Sequence, residues 1–364
     1  MSKRITILIY FLLAINVLYV LSGVIHIPLQ SVDVVGIWLF KAKAFFVEGG
    51  LPLQTLKNPD FILFHPQYPL LLPFLYSLIY FGLGRVWELP ILLLYPIYYV
   101  LILFLSFKVF KKMKLSTAAS LIYVYIYSML SPLLGQAGRL HAGSADIVLV
   151  LLSWIAVYFW QRSQLTKKRT LINQSAWIIT CLVMVASQIK LEGLFIGSLI
   201  FSLPLSKQHK LLLLGLASMP TLLWSYLVKV LALPTDFALV IPSAWELIDR
   251  SRLIMSWTIR EMLNYKNWYI FWPLFWLGLT VTKWPKSHPE ILGLAQAAFL
   301  AAGAFALVYL ILTIDAQAEV GSTVSAHLGS SIDRVLFQLT PFIYPIFVFK
   351  SQQIWLKIKG LFQG

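Results

Sequence analysis

The sequence predicts an all-α, polytopic helical membrane protein of about ten transmembrane helices. Further juxtamembrane helices are expected along the outer face, in the first outer loop. Three observations carry this. The 364 residues are 59% hydrophobic and only 12% charged, against about a quarter charged in a soluble domain, and mean hydropathy is +0.81. Apolar runs near the roughly 17–25 residues that cross a bilayer recur along the chain. The basic residues fall into short clusters that alternate with those runs, as positive-inside topology requires.

The first run, 5–25, follows Lys3 and Arg4. It is longer than a signal core of roughly 7–15 residues, and no small-residue cleavage site follows, so it reads as an uncleaved first span. Further spans are expected at 90–110, 115–134, 146–160, 171–187, 191–205, 211–232, 267–282, 291–313 and 336–350. One more apolar run, 69–84, decides the sidedness. If it does not cross, the N-terminus, 108–114, 161–170, 207–210, 283–290 and the C-terminus share one side, with 17 of the 29 Lys and Arg and one acid, Glu290. If it crosses, every later cluster flips outward. The run therefore reads as a short helix on or in the outer leaflet. Both termini are then cytoplasmic, with the chain integral to a membrane, on this reading the bacterial cytoplasmic (inner) membrane.

The net charge of +15 fits this topology. It is spread over loops and termini rather than along one face, which argues against a nucleic-acid partner. One cysteine, Cys181, lies in an apolar run and allows no disulfide framework.

Three regions remain outside: 26–89, 135–146 and 315–334. In "SVDVVGIWLFKAKAFF" (31–46), Asp33 stands where a helix over 34–46 would begin, as a first-turn acid or as a functional carboxylate. Lys41 and Lys43 are about 200° apart on such a helix and cannot both face one ligand. Lys41 shares a stripe with Trp38 and Phe45 and is the better phosphate contact; snorkelling is the plain alternative. In "HPQYP" (65–69) the two prolines predict an extended segment and a helix opening at Pro69. His65 and Tyr68 there are candidate substrate contacts. Asp146, in "GSAD", reads as an N-cap for 147–160 or as a second functional acid. Lys190 and Glu192, in "QIKLEG", read as an ion pair at an outer helix end and as candidate binding residues. Arg334 sits outside, where basic residues are disfavoured, and an anion on that leaflet would account for it; His327 lies in the same region. The stretch "AWELIDRSRLIMSWTIREMLN" is amphipathic and suits the membrane interface. No HExxH or Cys pair is present, and His65, His141 and His327 lie on different loops, so the residues do not support a metal site.

In their order and common face these segments resemble the GT-C superfamily of polytopic glycosyltransferases. Within it they are similar to bacterial enzymes of the protein-mannosyltransferase and lipid A aminoarabinose-transferase type. The resembling features are Asp33 soon after the first span, "HPQYPLLLP", Gly143 to Asp146, "IKLEG", and "SAHLGSSIDRVLFQLTP" (325–341). The resemblance covers most of 1–205 and 322–345. It implies a polyprenyl-phosphate-linked sugar donor, a lipid, glycan or protein acceptor, and inversion at the anomeric carbon. It maps Asp33 to the catalytic base, Asp146 to a second acid that positions the acceptor or the surroundings of Asp33, and Arg334 to a phosphate contact. The chain departs from the pattern in having single acids where some relatives pair them, and about 14 residues after the last span. No cofactor is required on this reading. The chain is expected to form a single domain, 1–364, with a catalytic module over 1–205 and variable helices over 206–364 that end in an outer loop at 314–335 and the last span. Two other classes stay open: a transporter or flippase, and a non-enzymatic membrane assembly protein.

Overall fold

Helix follows almost wherever the apolar runs are. The computed structural model describes residues 3–361, apart from 30, 139–140, 167, 236, 240–241, 285–287 and 315–323. Among the described residues the departure from helix and connecting turn is one short antiparallel ribbon, Phe237–Leu239 paired with Leu312–Ile314. Among the described residues, seven helices are long and apolar enough to cross a membrane: Arg4–His26, Leu89–Lys112, Ala145–Gln164, Arg169–Ile189, Lys207–Val230, Pro289–Ile311 and Leu328–Lys359. The count becomes eight if the bent pair Thr117–Ser128 and Ser131–Gly138 is one span.

Three of the ten expected spans take a different form. The run 115–134 bends by 68° between its two helices. Pro132 explains the break: it fits the first turn of the second helix but could not continue the first. Its missing N–H would orphan the Ser128 carbonyl, which instead accepts a hydrogen bond from Tyr99 Oη at 2.9 Å. The run 191–205 starts as a 3-10 segment, Leu191–Gly197, and ends as Ser198–Phe201. There Gly193 lies so close to the preceding helix that a Cβ would meet the Ala186 carbonyl carbon at 2.2 Å. The run 267–282 holds an 11-residue helix, Phe271–Val281, because Tyr269 at φ 51° interrupts the chain before it.

The run 69–84 yields a helix over Leu71–Leu83, 13 residues or about 20 Å, short of a hydrocarbon core of about 30 Å. It opens at Leu71, two residues later than expected. The segment before it is a turn rather than extended chain: His65 takes φ 51° and its carbonyl accepts from the Tyr68 N–H at 2.9 Å.

The last helix, Val324–Leu361, is the largest correction. The expected outer loop 314–335 lies partly outside the described residues, but from Val324 onward it is helix. Arg334 is therefore well inside a helix rather than in a loop before one. Pro341 and Pro345 sit within that helix. Pro341 leaves the Phe337 carbonyl without its helical donor, and Thr340 Oγ1 replaces it at 2.7 Å. In lipid such substitution is what makes an internal proline tolerable.

Ala145–Gln164 packs against Arg169–Ile189, Leu94–Lys112 and the last helix, which in turn packs against Pro289–Ile311 and Phe271–Val281. Their contact is a buried aromatic layer of Phe110, Tyr127, Trp154 and Tyr344. Its polar atoms are paired: Tyr127 Oη with Thr340 Oγ1 at 2.9 Å, Trp154 Nε1 to Tyr127 Oη at 3.1 Å, and Tyr344 Oη to the Tyr123 carbonyl at 2.8 Å. One contiguous core runs from Val20 to Val348, so the front and back of the chain share one interior.

Candidate functional site

Asp33 is the first residue of a π-helical stretch, Asp33–Leu39, that runs into the α-helix Phe40–Glu48. Its carboxylate pairs with the Arg334 guanidinium, 301 residues away. The same guanidinium stands 3.8 Å from Asp146 Oδ2. Asp146 is in the first turn of Ala145–Gln164, but the N-cap is Ser144. That corrects the capping role expected for Asp146, whose side chain does something else. It is 2% exposed and receives Lys190 Nζ at 3.1 Å and Gln338 Nε2 at 2.7 Å. Lys190, at the end of Arg169–Ile189, also reaches Glu192 at 3.0 Å, so the expected 190–192 pair is present and continues into a larger cluster. Burial alone would lower the proton affinity of Lys190; Asp146 and Glu192 outweigh it and hold the ammonium above the ordinary lysine value.

Three helix ends and the last helix thus bring Asp33, Asp146, Lys190, Glu192 and Arg334 together. Gln338 was not singled out in the sequence. The signal was there: it lies four residues after Arg334, on the same helical face.

Lys41, His65 and Tyr68 form a second group. Lys41 is 1% exposed; its Nζ donates to the His65 carbonyl at 2.6 Å and sits 5.4 Å from the Tyr68 ring centre. His65 stacks on Tyr68 at 4.6 Å, 12° from parallel. Lys41 thus anchors the turn at 65–68. Lys43 points elsewhere, to Glu88 at 2.7 Å, as the helical spacing requires. The His327 side chain lies outside the described residues.

The Asp146 loop is braced from several sides. Tyr95 Oη donates to the Ser144 carbonyl at 2.8 Å, Tyr76 Oη to the Gly143 carbonyl at 3.3 Å, and Ser144 Oγ bonds Gln136. Tyr76 belongs to Leu71–Leu83, so that short helix orients the second acid. Gly143 has φ 108°, and a Cβ there would meet Val34 Cγ1 at 2.4 Å. Gly143→Ala is expected to destabilise the protein by about 1–3 kcal/mol, from backbone strain and overpacking. Thermal unfolding of the detergent-solubilised protein measures this; an unchanged midpoint would show that the loop yields freely.

Beside the charged cluster runs an apolar groove of about 540 Å³, between Ala244–Met262, Phe271–Val281, Pro289–Ile311 and the last helix. It exists because Pro289–Ile311 presents Ala295, Ala298, Ala302 and Ala306 at helical spacing, leaving room where larger side chains would fill. Along the last helix it extends from Ile332 to Ile346, or about 21 Å at 1.5 Å per residue. Its charged end is marked by Tyr309, which lines the groove and whose hydroxyl pairs with Ser331 Oγ at 2.7 Å. The amphipathic helix Ala244–Met262, started by a Ser243–Glu246 capping box, lays Ile254, Thr258 and Met262 along the groove.

Among the described residues, no group of three or more His, Cys, Asp or Glu is placed to hold a metal ion. Neither a family model nor a curated protein matches the chain.

Proposed function

We propose that this chain is an inverting glycosyltransferase of the GT-C type. It moves a sugar from a polyprenyl-phosphate donor to an acceptor hydroxyl on the non-cytoplasmic face of the membrane. The observation that carries the reading is the meeting of Asp33, Asp146, Lys190 and Arg334 at one end of the apolar groove. A prenyl-linked sugar has that same division: a long hydrocarbon, an anionic phosphate, then a polar ring.

The chemistry asks little. Polyprenyl phosphate is already a good leaving group. The acceptor oxygen attacks the anomeric carbon, the carbon–oxygen bond to phosphate breaks with its electron pair leaving on the phosphate, and the acceptor proton goes to a base. Asp33 is that base. Arg334, whose fork suits a phosphate, stabilises the charge that develops on the leaving group, assisted by Lys190. Asp146 holds Lys190, Gln338 and Arg334 in place. The prenyl tail lies in the groove over the alanines of Pro289–Ile311.

Topology follows the same reading. Counting the seven long helices, the bent pair and the short segments Leu191–Phe201 and Phe271–Val281 gives ten crossings, an even number that leaves both termini cytoplasmic. The basic clusters, not helix length, single out Leu71–Leu83 as the short helix that does not cross, since its 13 residues exceed the 11 of Phe271–Val281. Leu71–Leu83 and the helices before it lie along the outer leaflet. The charged cluster gathers at the start of Ala145–Gln164 and the end of Arg169–Ile189, not midway along them. A transporter would place its polar site near the bilayer midplane instead.

The test is to incubate the purified protein with a panel of polyprenyl-phosphate sugars and acceptor lipids or glycans. Release of free polyprenyl phosphate, coupled to a new glycoside, is expected. If every donor stays intact while the protein moves a lipid or solute across vesicles, the transporter reading takes its place.

A further inference from the structure

A second cavity, of about 240 Å³, opens against Arg334. Its chemistry differs from that of the groove. It is lined by Gln136, His141, Asn267, Asp333, Arg334 and Phe337, with Ser131 and Pro132 on its wall; Asp33, Asp146, Lys190 and Glu192 do not line it. On the last helix, Asp333 and Phe337 are four residues apart and share one face. The groove-lining Ile332, Leu336 and Leu339 are turned away from that face by the 100° step of the helix. Arg334 therefore borders both the charged cluster and this cavity. Its Nε has no hydrogen-bond partner among the described residues.

The lining mixes donors and acceptors in fixed positions. Asn267 Nδ2 is oriented by Glu261 Oε1 at 2.6 Å. Gln136, 4% exposed, has its carbonyl oxygen engaged by Ser144, which leaves its amide N–H groups as donors. Asp333 supplies an acceptor and Arg334 a donor, while Phe337 offers a flat apolar wall. A phosphate does not suit this lining, because Asp333 would repel it. A hydrocarbon chain does not suit it either, because buried amides and charges would go unpaired. A sugar ring suits it: its hydroxyls both donate and accept, and its C–H face packs on an aromatic ring. At about 240 Å³ the cavity has room for a single ring rather than a glycan chain.

We propose that this cavity is a saccharide-ring subsite, with Asp333 and Asn267 as its principal hydroxyl contacts. Its place in catalysis rests on the transferase reading; the binding itself does not. The ring comes either from the acceptor or from the donor's own sugar, and the experiment separates the two. Cys181 is the chain's single cysteine, so the full-length Cys181→Ser/Ser131→Cys protein carries one thiol, on the cavity wall. Maleimide labelling of that thiol is timed with free mannose, glucose, galactose and their amino derivatives at high millimolar concentration. It is timed again with polyprenyl-phosphate mannose and with polyprenyl phosphate alone. Severalfold slowing by a free sugar marks an acceptor ring. Slowing by the prenyl-linked sugar, but not by free sugars or the bare prenyl phosphate, marks the donor's ring. In either case Asp333→Asn should remove the protection. Equal labelling under all conditions, or slowing by prenyl phosphate alone, overturns the proposal. Should Ser131→Cys not fold, His141→Cys at the exposed mouth of the cavity reports in the same way. Protection that persists in a protein that never releases polyprenyl phosphate would defeat the transferase reading and leave the subsite standing.

Discussion

Asp33→Asn is expected to lower sugar transfer by about 10²–10⁴-fold, the usual contribution of a positioned general base, in a protein that still folds. Asparagine keeps the shape of the side chain and can still accept from Arg334. The side chain is also 34% exposed, so water can solvate what the lost charge leaves behind. The ground state adds a sharper signature. Arg334 is already engaged by Asp33, so a donor phosphate must displace that carboxylate to reach the guanidinium. Removing the carboxylate's charge removes the competitor. Donor affinity should therefore be unchanged or improved while turnover collapses. A residue that merely held the fold would move affinity and melting temperature together, in the unfavourable direction. Initial rates against donor concentration, with a melting curve for each protein, make the separation. Full turnover in Asp33→Asn would assign the base elsewhere.

How much of this was legible in the sequence differs between residues for identifiable reasons. Apolar run length is a one-dimensional property, and the long helices appear where the runs are. The failures come where local backbone chemistry overrides run length: Pro132 bending 115–134, Gly193 folding 191–197 back on its neighbour, Tyr269 shortening the helix that follows. Asp33, Asp146 and Arg334 stood out because a charge at a membrane edge is conspicuous in apolar surroundings. Of the two roles open to Asp146, a local cap or a second functional acid, the fold gave the cap's place to Ser144 and directed the carboxylate to Lys190 and Gln338. Nothing local reveals a pairing 192 residues apart. The cavity at Asp333 was least legible of all, because Gln136, Asn267 and Phe337 are ordinary residues whose meeting depends wholly on packing. The groove needed both the alanine spacing of Pro289–Ile311 and the helices that surround it.

Asp146→Ala carries the largest expected cost to stability, about 3–5 kcal/mol, the range for removing one partner of a buried ion pair. Its side chain is 2% exposed, and its main partner, Lys190, is 10% exposed. With the carboxylate gone, Lys190 keeps Glu192 at 3.0 Å, and Gln338 loses its acceptor. Arg334 loses one of the acids beside it and keeps its pairing with Asp33. Lys190 and Gln338 are too deeply buried for water to solvate them readily, unlike Asp33 at the exposed side of the cluster. The cost belongs to an unpaired charge rather than to a lost attraction, so it should largely vanish when both charges go together. The double variant Asp146→Leu/Lys190→Met replaces the pair by apolar groups of similar size and should recover most of the stability, so that the two single costs are far from additive. It should not recover transfer, because Arg334 and Gln338 are no longer held in register with Asp33. Denaturant or thermal unfolding of the two single variants and the double variant, with transfer rates beside it, decides the matter. If Asp146→Ala melts like the parent, the cluster is solvated and the cavity beside it is wet. If the double variant regains activity as well as stability, the second acid serves only to neutralise Lys190, and Asp33 with Arg334 makes up the reacting centre alone.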